Sequence, residues 1–519
     1  MVSLEPVPEN LSRFTSAQLE FERPDSAYLH LDEGEFRILQ LAPGRKDDAI
    51  TCSFVTVSKQ QQLEYEAISY LWGIRPLPKL FEIMLLDPQG KCHSISIRSN
   101  LAAALRSVRH PKAARSFWVD MLCINHGNSD PCEKNRLTAM KPYVFHNAAN
   151  LCLWLGEDAS SKAALHFIPR ILDLSSLPKL IRDDKAVDDW SAFITLLKNP
   201  VFSRQWHVQE VSVSRNTTLH CGQTAIHYMD LVDAMAMFTT SRNDISLLFL
   251  RNKRNYKELF DRKITIAERF INVSTNAVRI TNSGKVERRF SLEALVSHLS
   301  DLSTVDPLDR IYSVVAIARD GPEMGEEMPV EYIHDTRYER PLLIDYSKSV
   351  LEVYQNFVIH AIGRSGSLDI ICRHWANSVS DLNLPTWVRP LQASLQPNSD
   401  ISERINADSL VGLPGYNTYN ASRGTVADFD PFSQPYDSPK SLHVRGFRID
   451  TISKLGPRAE DGIILHEWLE LGGVVGEIVP EAFWRTLVAD RSPNVAKVES
   501  HNCFCLLWFI CLSSLHHFT

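Results

Sequence analysis

Two segments of this chain run from apolar residues into polar and aromatic ones that could do chemistry. Tyr65-Glu-Ala-Ile-Ser-Tyr-Leu-Trp-Gly73 and Phe117-Trp-Val-Asp-Met-Leu-Cys-Ile-Asn125 both begin with the aromatic and branched residues of buried strands. The first ends in Tyr70, Trp72 and Gly73, the second in Asp120 and Asn125. In an open α/β sheet the carboxyl ends of strands face the ligand crevice, so two such strands side by side would deliver these groups to one rim. Asp120 sits among apolar neighbours, and a buried carboxylate needs a partner: it caps a helix, pairs with an arginine or lines the cleft. A third segment, Ser203-Arg-Gln-Trp-His-Val-Gln-Glu210, places Trp206 and Glu210 one helical turn apart on one face. The plainer reading is that the ring packs and the acid pairs with Arg204 or Arg215. Cys123 beside His126 has the residue types of a nucleophile pair, but a thiol at a strand end is more often core. The one His/Cys cluster, Cys503, Cys505, His516 and His517, lacks the compact spacing of a zinc site, so no metal is expected.

The elements that must hold these groups follow from pattern. Strands are predicted at 36–41, 51–57 and from Tyr65, then a hairpin of 81–86 and 92–97 around the turn Asp87-Pro-Gln-Gly90. Asn100 stands where a helix cap should be, with Leu101, Leu105 and Val108 at helical spacing behind it. A strand at 117–124, a helix from about Glu133 to Asn147 and a strand at 151–155 continue the alternation. That order predicts an α/β domain with a mostly parallel sheet flanked by helices. Residues 160–240 read as chiefly helical with a break at Pro200, and residues 240–395 as mainly helical. Residues 392–440, rich in Asn, Ser, Pro, Asp and Gly, read as a long loop, and short strands are expected to resume at 442–446.

At 519 residues the chain is long enough for roughly two to four domains. Its 44 % apolar and 23 % charged residues have the balance of a soluble globular protein. A net charge of −7 gives no general attraction to nucleic acid or an anionic membrane, and neither is expected as a partner. The basic stretch at 251–257 is followed at once by Glu258, Asp261 and Glu268 and reads as a solvated helix face. Ten cysteines scattered singly suit reduced thiols, and the N-terminus lacks the pattern of a signal peptide, so a cytoplasmic location is expected. No P-loop, Gly-x-Ser-x-Gly or internal repeat is present. The apolar run at 504–512 is too short to span a bilayer and reads as an atypical, truncated or misread tail.

The two opening segments closely resemble the signatures of the fungal heterokaryon incompatibility (HET) domain. So do Ser99-Asn-Leu-Ala-Ala-Ala-Leu-Arg106, Asn147-Ala-Ala-Asn-Leu-Cys-Leu-Trp-Leu-Gly156, the Phe202–Glu210 segment and Leu219-His-Cys-Gly222. Asp306-Pro-Leu-Asp-Arg-Ile-Tyr312, Ile344-Asp-Tyr346 and Leu384-Pro-Thr-Trp387 follow in family order. The resemblance divides the chain into a polar segment 1–35, a HET domain 36–235 with core motifs at 65–156 and 202–222, and a mainly helical region 236–391. A linker 392–440, a small α/β element 441–490 and the tail 491–519 complete it.

The resemblance implies a role in non-self recognition, in which an incompatible partner protein in fused fungal cells, or self-association, releases regulated cell death. The HET domain is in turn distantly similar to TIR domains, in which a Ser-x-Trp-Cys-x-x-Glu segment supplies the carboxylate that cleaves NAD. By that likeness the sheet is TIR-like and Glu210 is the candidate catalytic carboxylate. Tyr70, Trp72, Gly73, Asp120 and Trp206 are then the candidate nucleotide cleft. NAD is the candidate substrate, and no cofactor is required. Cleaving the nicotinamide–ribose bond builds positive charge on the ribosyl ring, which a fixed carboxylate in a partly dry cleft stabilises. His126 stands where the family has Gln and Arg136 where a further Gln is expected. The alternatives are therefore a non-enzymatic interaction module or a degenerate, inactive copy.

Overall fold

The computed structural model describes residues 26–61, 63–72, 80–125, 131–281, 286–322 and 342–373, and short segments between 384 and 487. Two compact units divide the chain, residues 1–443 and 444–519. The first is built on nine strands: β1 (Glu35–Leu41), β2 (Thr51–Ser58), β3 (Glu66–Tyr70), β4 (Leu80–Leu86), β5 (Cys92–Arg98), β6 (Arg115–Trp118), β7 (Leu151–Gly156), β8 (Thr217–Cys221) and β9 (Thr224–His227). They form one sheet in the order β5-β4-β2-β1-β6-β3-β7-β8-β9. At its centre β6, β3, β7 and β8 run parallel, as the alternation of strands and helices predicts. Outside them β1 pairs antiparallel with β6 and β2, β2 pairs parallel with β4, and the hairpins β4–β5 and β8–β9 close the two edges. Short turns can only return a chain antiparallel, whereas parallel neighbours need a crossover. The β8–β9 turn is one such return, and Gly222 supplies the positive φ of 56° it uses.

The crossovers are helices. Between β5 and β6 runs α1 (Ser99–Val108), whose Leu101, Ala104, Leu105 and Val108 form a buried stripe. Between β6 and β7 lie α2 (Asp120–Cys123) and α3 (Pro131–Asn147). Between β7 and β8 come α4 (Ala159–Leu172), α5 (Leu177–Leu180), α6 (Val187–Leu197) and α7 (Gln205–Val213). Pro200, at the start of a short 3-10 turn, marks the break before α7. Successive side chains of a strand point to opposite faces. Ser69 reaches α7, while Tyr70 pairs in register with Trp154, whose indole reaches α1. So α1 and α7 cover opposite faces of the sheet.

The predicted strand 117–124 is a correction. β6 ends at Trp118, and residues 120–123 form a helical turn in which the Leu122 and Cys123 amides bond to Val119 O. An apolar run does not by itself distinguish strand from helix. After the sheet come α8 (Tyr228–Arg251), α9 (Arg262–Asn276), a small hairpin of β10 (Val278–Ile280) and β11 (Val286–Arg288), α10 (Leu292–His298), α11 (Asp309–Tyr312) and α12 (Val350–Ser365). Their buried residues share one hydrophobic core with those of the sheet. Within the second unit, α13 (His466–Leu471) and α14 (Glu481–Leu487) are described, and the Trp468 indole donates to Pro457 O at 2.8 Å. The strands expected at 442–446 are not formed. Most of the loop 392–440 and all of the tail 491–519 lie outside the described residues.

Candidate functional site

The site begins where β3 stops pairing. Beyond Tyr70 its carbonyls have no strand to bond, and buried carbonyls need donors. Three side chains supply them: Arg204 Nη1 donates to Tyr70 O at 3.1 Å, Asn100 Nδ2 to Leu71 O at 2.8 Å, and Arg98 Nη1 to Trp72 O. Asn100 is therefore not the cap that its position suggested. Arg98 holds the N-cap position of α1, and Asn100, inside the helix, bridges Leu71 O and the Trp154 indole. Arg204 likewise holds the N-cap position of α7 and lies over the Trp72 ring at 5.4 Å.

Glu210 lies on α7, a helix whose nine residues are all buried, polar ones included. Its carboxylate accepts a 2.5 Å hydrogen bond from Ser69 Oγ, one residue before Tyr70 on β3. Neither expected arginine pairs with it. Arg204 goes to Tyr70 O and Trp72, and Arg215 Nη2 faces His146 Nε2 at 3.3 Å. His207, on the same helix, has Nδ1 2.9 Å from Val201 O and Nε2 3.4 Å from Tyr70 O. Burial pushes its imidazole below the usual histidine range, against the Glu210 charge, which favours the protonated ring. The arrangement offers a hydroxyl-anchored carboxylate beside an imidazole held toward its neutral form.

Asp120 takes a lysine rather than the expected arginine. Lys141 Nζ of α3 lies 3.4 Å from its Oδ2, both side chains being buried, and Trp72 Nε1 and the Met121 amide donate to Oδ1 at 3.3 and 2.7 Å. The same ammonium lies 4.4 Å from the centre of the Trp206 ring. Trp206 bonds onward to Asp309, which also accepts from Tyr346 OH at 2.7 Å. Burial pushes the Asp309 carboxyl up, and these two donors pull it back. One network thus joins Trp72, Asp120, Trp206 and the α11 region.

Trp72, Asp120 and Trp206 belong to this network. Tyr70 lies beside it through its carbonyl, which faces Arg204 and His207, and Glu210 bonds Ser69, the residue before Tyr70. Gly73 and His126 lie outside the described residues. Cys123 is a core thiol, pushed up to about 12 by burial. Glu133 forms a buried ion pair with Arg37 at 2.7 Å, and Arg136 bonds to Leu31 O and Asp32 O. Sequence reasoning missed Arg98, Lys141 and Asp309, and gave Arg204 only as a partner for Glu210. The 306–312 and 344–346 segments were the available signal for Asp309 and Tyr346.

A family model described as "Heterokaryon incompatibility protein (HET)" matches residues 65–210, a stretch that runs from the residue before β3 to Glu210 itself. No curated protein and no solved structure matches the chain. Among the described residues no helix is long and apolar enough to cross a membrane.

Proposed function

From the premise that this chain carries a HET domain over residues 65–210, we propose that it is a cytoplasmic non-self recognition protein of a filamentous fungus. Its output is regulated cell death by NAD cleavage, with Glu210 as the catalytic carboxylate. The observation that supports this reading is the Glu210 carboxylate itself. It is buried, anchored by Ser69 at the end of a central parallel strand, and paired with no lysine or arginine among the described residues. Placing such a group costs stability, and functional sites are where that cost is commonly met. A carboxylate so fixed would stabilise the ribosyl cation as nicotinamide leaves.

Glu210 and Tyr70 are each only 3 % exposed, so the conformation described is a closed one. An incompatible partner or self-association would act by favouring an open state, which requires contacts that differ between the two. The same burial favours a second reading, a non-enzymatic assembly module in which α7 is only packed. Inducible expression of the full chain in a fungal host separates the two. Wild type should deplete NAD and reduce viability, and Glu210→Gln should do neither. Killing by both chains without NAD loss supports the assembly module, and no killing by wild type contradicts the death-effector role.

A further inference from the structure

Arg98 and Arg204 form a like-charged pair at the end of β3, and their surroundings do not neutralise it. Each holds the N-cap position of a helix, α1 on one face of the sheet and α7 on the other, and neither helix has an acidic residue in its first turn or a side-chain cap. Each guanidinium bonds only uncharged groups: Trp72 O for Arg98, Tyr70 O and the Trp72 ring for Arg204. They lie within each other's field: burial pushes Arg98 below its ordinary value, the nearby Tyr70 works against that, and the Arg204 charge adds to it. Among the described residues Arg98 Nε is buried with no hydrogen-bond partner. The carboxylates of this rim are engaged elsewhere, Asp120 by Lys141 and Glu210 by Ser69.

The contrast with other arginines is informative. Arg37, Arg115, Arg269 and Arg373 each have a carboxylate. Arg109 donates to five backbone carbonyls, and Arg310 to two carbonyls and the Gln205 amide oxygen, so several acceptors hold each of them. Two uncompensated guanidiniums at one strand end repel each other, and each keeps donors free for planar, bidentate acceptors.

We propose that Arg98 and Arg204 are the receptor for the phosphoryl groups of the ligand, with Trp72 as the aromatic face beside it. The ligand class is a nucleoside diphosphate, and this names the substrate end of the nucleotide reading above and rests on that reading for the ligand's organic part. The diphosphate bridges the two arginines across the strand end, and its negative charge removes their repulsion. The phosphate-free part of the molecule is then directed toward Ser69 and Glu210.

Calorimetric titration of the full-length chain tests this, with ADP-ribose, inorganic pyrophosphate and nicotinamide riboside as probes. ADP-ribose and pyrophosphate should bind, and the riboside, which lacks phosphate, should bind at least about tenfold more weakly. Arg98→Gln and Arg204→Gln keep an amide donor on a shorter side chain but carry no charge. Each should weaken ADP-ribose binding by about tenfold or more with an unchanged melting temperature. If a glutamine variant unfolds, Arg204→Lys keeps the charge and should lose affinity through the missing fork alone. Equal affinity for the riboside and ADP-ribose would overturn the proposal. So would wild-type affinity in the double glutamine variant, or tighter binding of poly-glutamate than of pyrophosphate. A chain that binds diphosphates through both arginines yet releases no nicotinamide sinks the Glu210 reading and leaves this one standing. A chain that cleaves NAD with an unchanged KM after both substitutions does the reverse.

Discussion

The two ends of β3 are both polar, and they differ in whether their charges close. At the amino end Glu66 pairs with Arg115, and Asn150, Cys152, Thr218 and His220 complete a network across β7 and β8. The cysteine thiol is pushed up to about 12 and the His220 ring below its usual range, both chiefly by burial, so both favour their neutral forms. At the carboxyl end Asp120 and Lys141 balance, but Arg98, Arg204 and Glu210 are each held by neutral groups. Polar side chains alone would therefore not distinguish a site from a structural network here. Charge left over after local pairing is the feature that sets the proposed site apart.

If burial decides what an ion pair is worth, breaking the pair at the carboxyl end of β3 should cost more than breaking the one at its amino end. Lys141→Met strands the buried Asp120 carboxylate and should destabilise the chain by about 3 kcal/mol, read from chemical denaturation. A loss below about 1 kcal/mol would mean that water already reaches Asp120. A smaller effect follows from the histidines. His146, His207, His220 and His298 are all pushed below the ordinary value by burial, so between that value and the folded one the unfolded chain binds more protons. Stability is then full above the ordinary histidine value and is lost as pH falls through the window below it, by up to ~1.4 kcal/mol per pH unit for each ring. Asp309 and Glu293, raised by burial, act in the opposite sense at lower pH. The clean reading is therefore the difference between wild type and His207→Gln, whose pH slope should be shallower. The smallest effect belongs to the amino end. Glu66→Gln breaks a pair whose side chains are 24 % and 34 % exposed and should cost less than about 1 kcal/mol. A larger loss would place this end among the tightly coupled buried networks and weaken the contrast.

Much of the frame was legible in the sequence, because strand and helix patterns there are strong. The runs at 65–70 and 151–155, the hairpin at 81–97 and the helix at 133–147 all form. The site was legible only in part. Tyr70, Trp206 and Glu210 lie in segments whose pattern fixes their element, and Trp72 follows β3 by two residues. Arg98 and Arg204 gain their meaning from the capping positions of two helices that meet from opposite faces, which no local pattern encodes. Lys141 sits mid-helix, and Asp309 is 99 residues beyond Glu210, so only tertiary packing brings them to Trp206. Asp120 was placed in a strand because its apolar neighbours suit a buried turn equally well.

The same substitution at two buried glutamates tests the central claim most directly, with melting temperature and nicotinamide release by artificially clustered full-length protein read side by side. Glu133→Gln removes the charge that closes on Arg37 and should cost about 3–5 kcal/mol, while the folded fraction releases nicotinamide at the wild-type rate. Glu210→Gln keeps an acceptor for Ser69 and should leave the melting temperature unchanged or raised, while release falls by about a hundredfold or more. Unchanged release in Glu210→Gln, or no release from clustered wild type, would contradict the account.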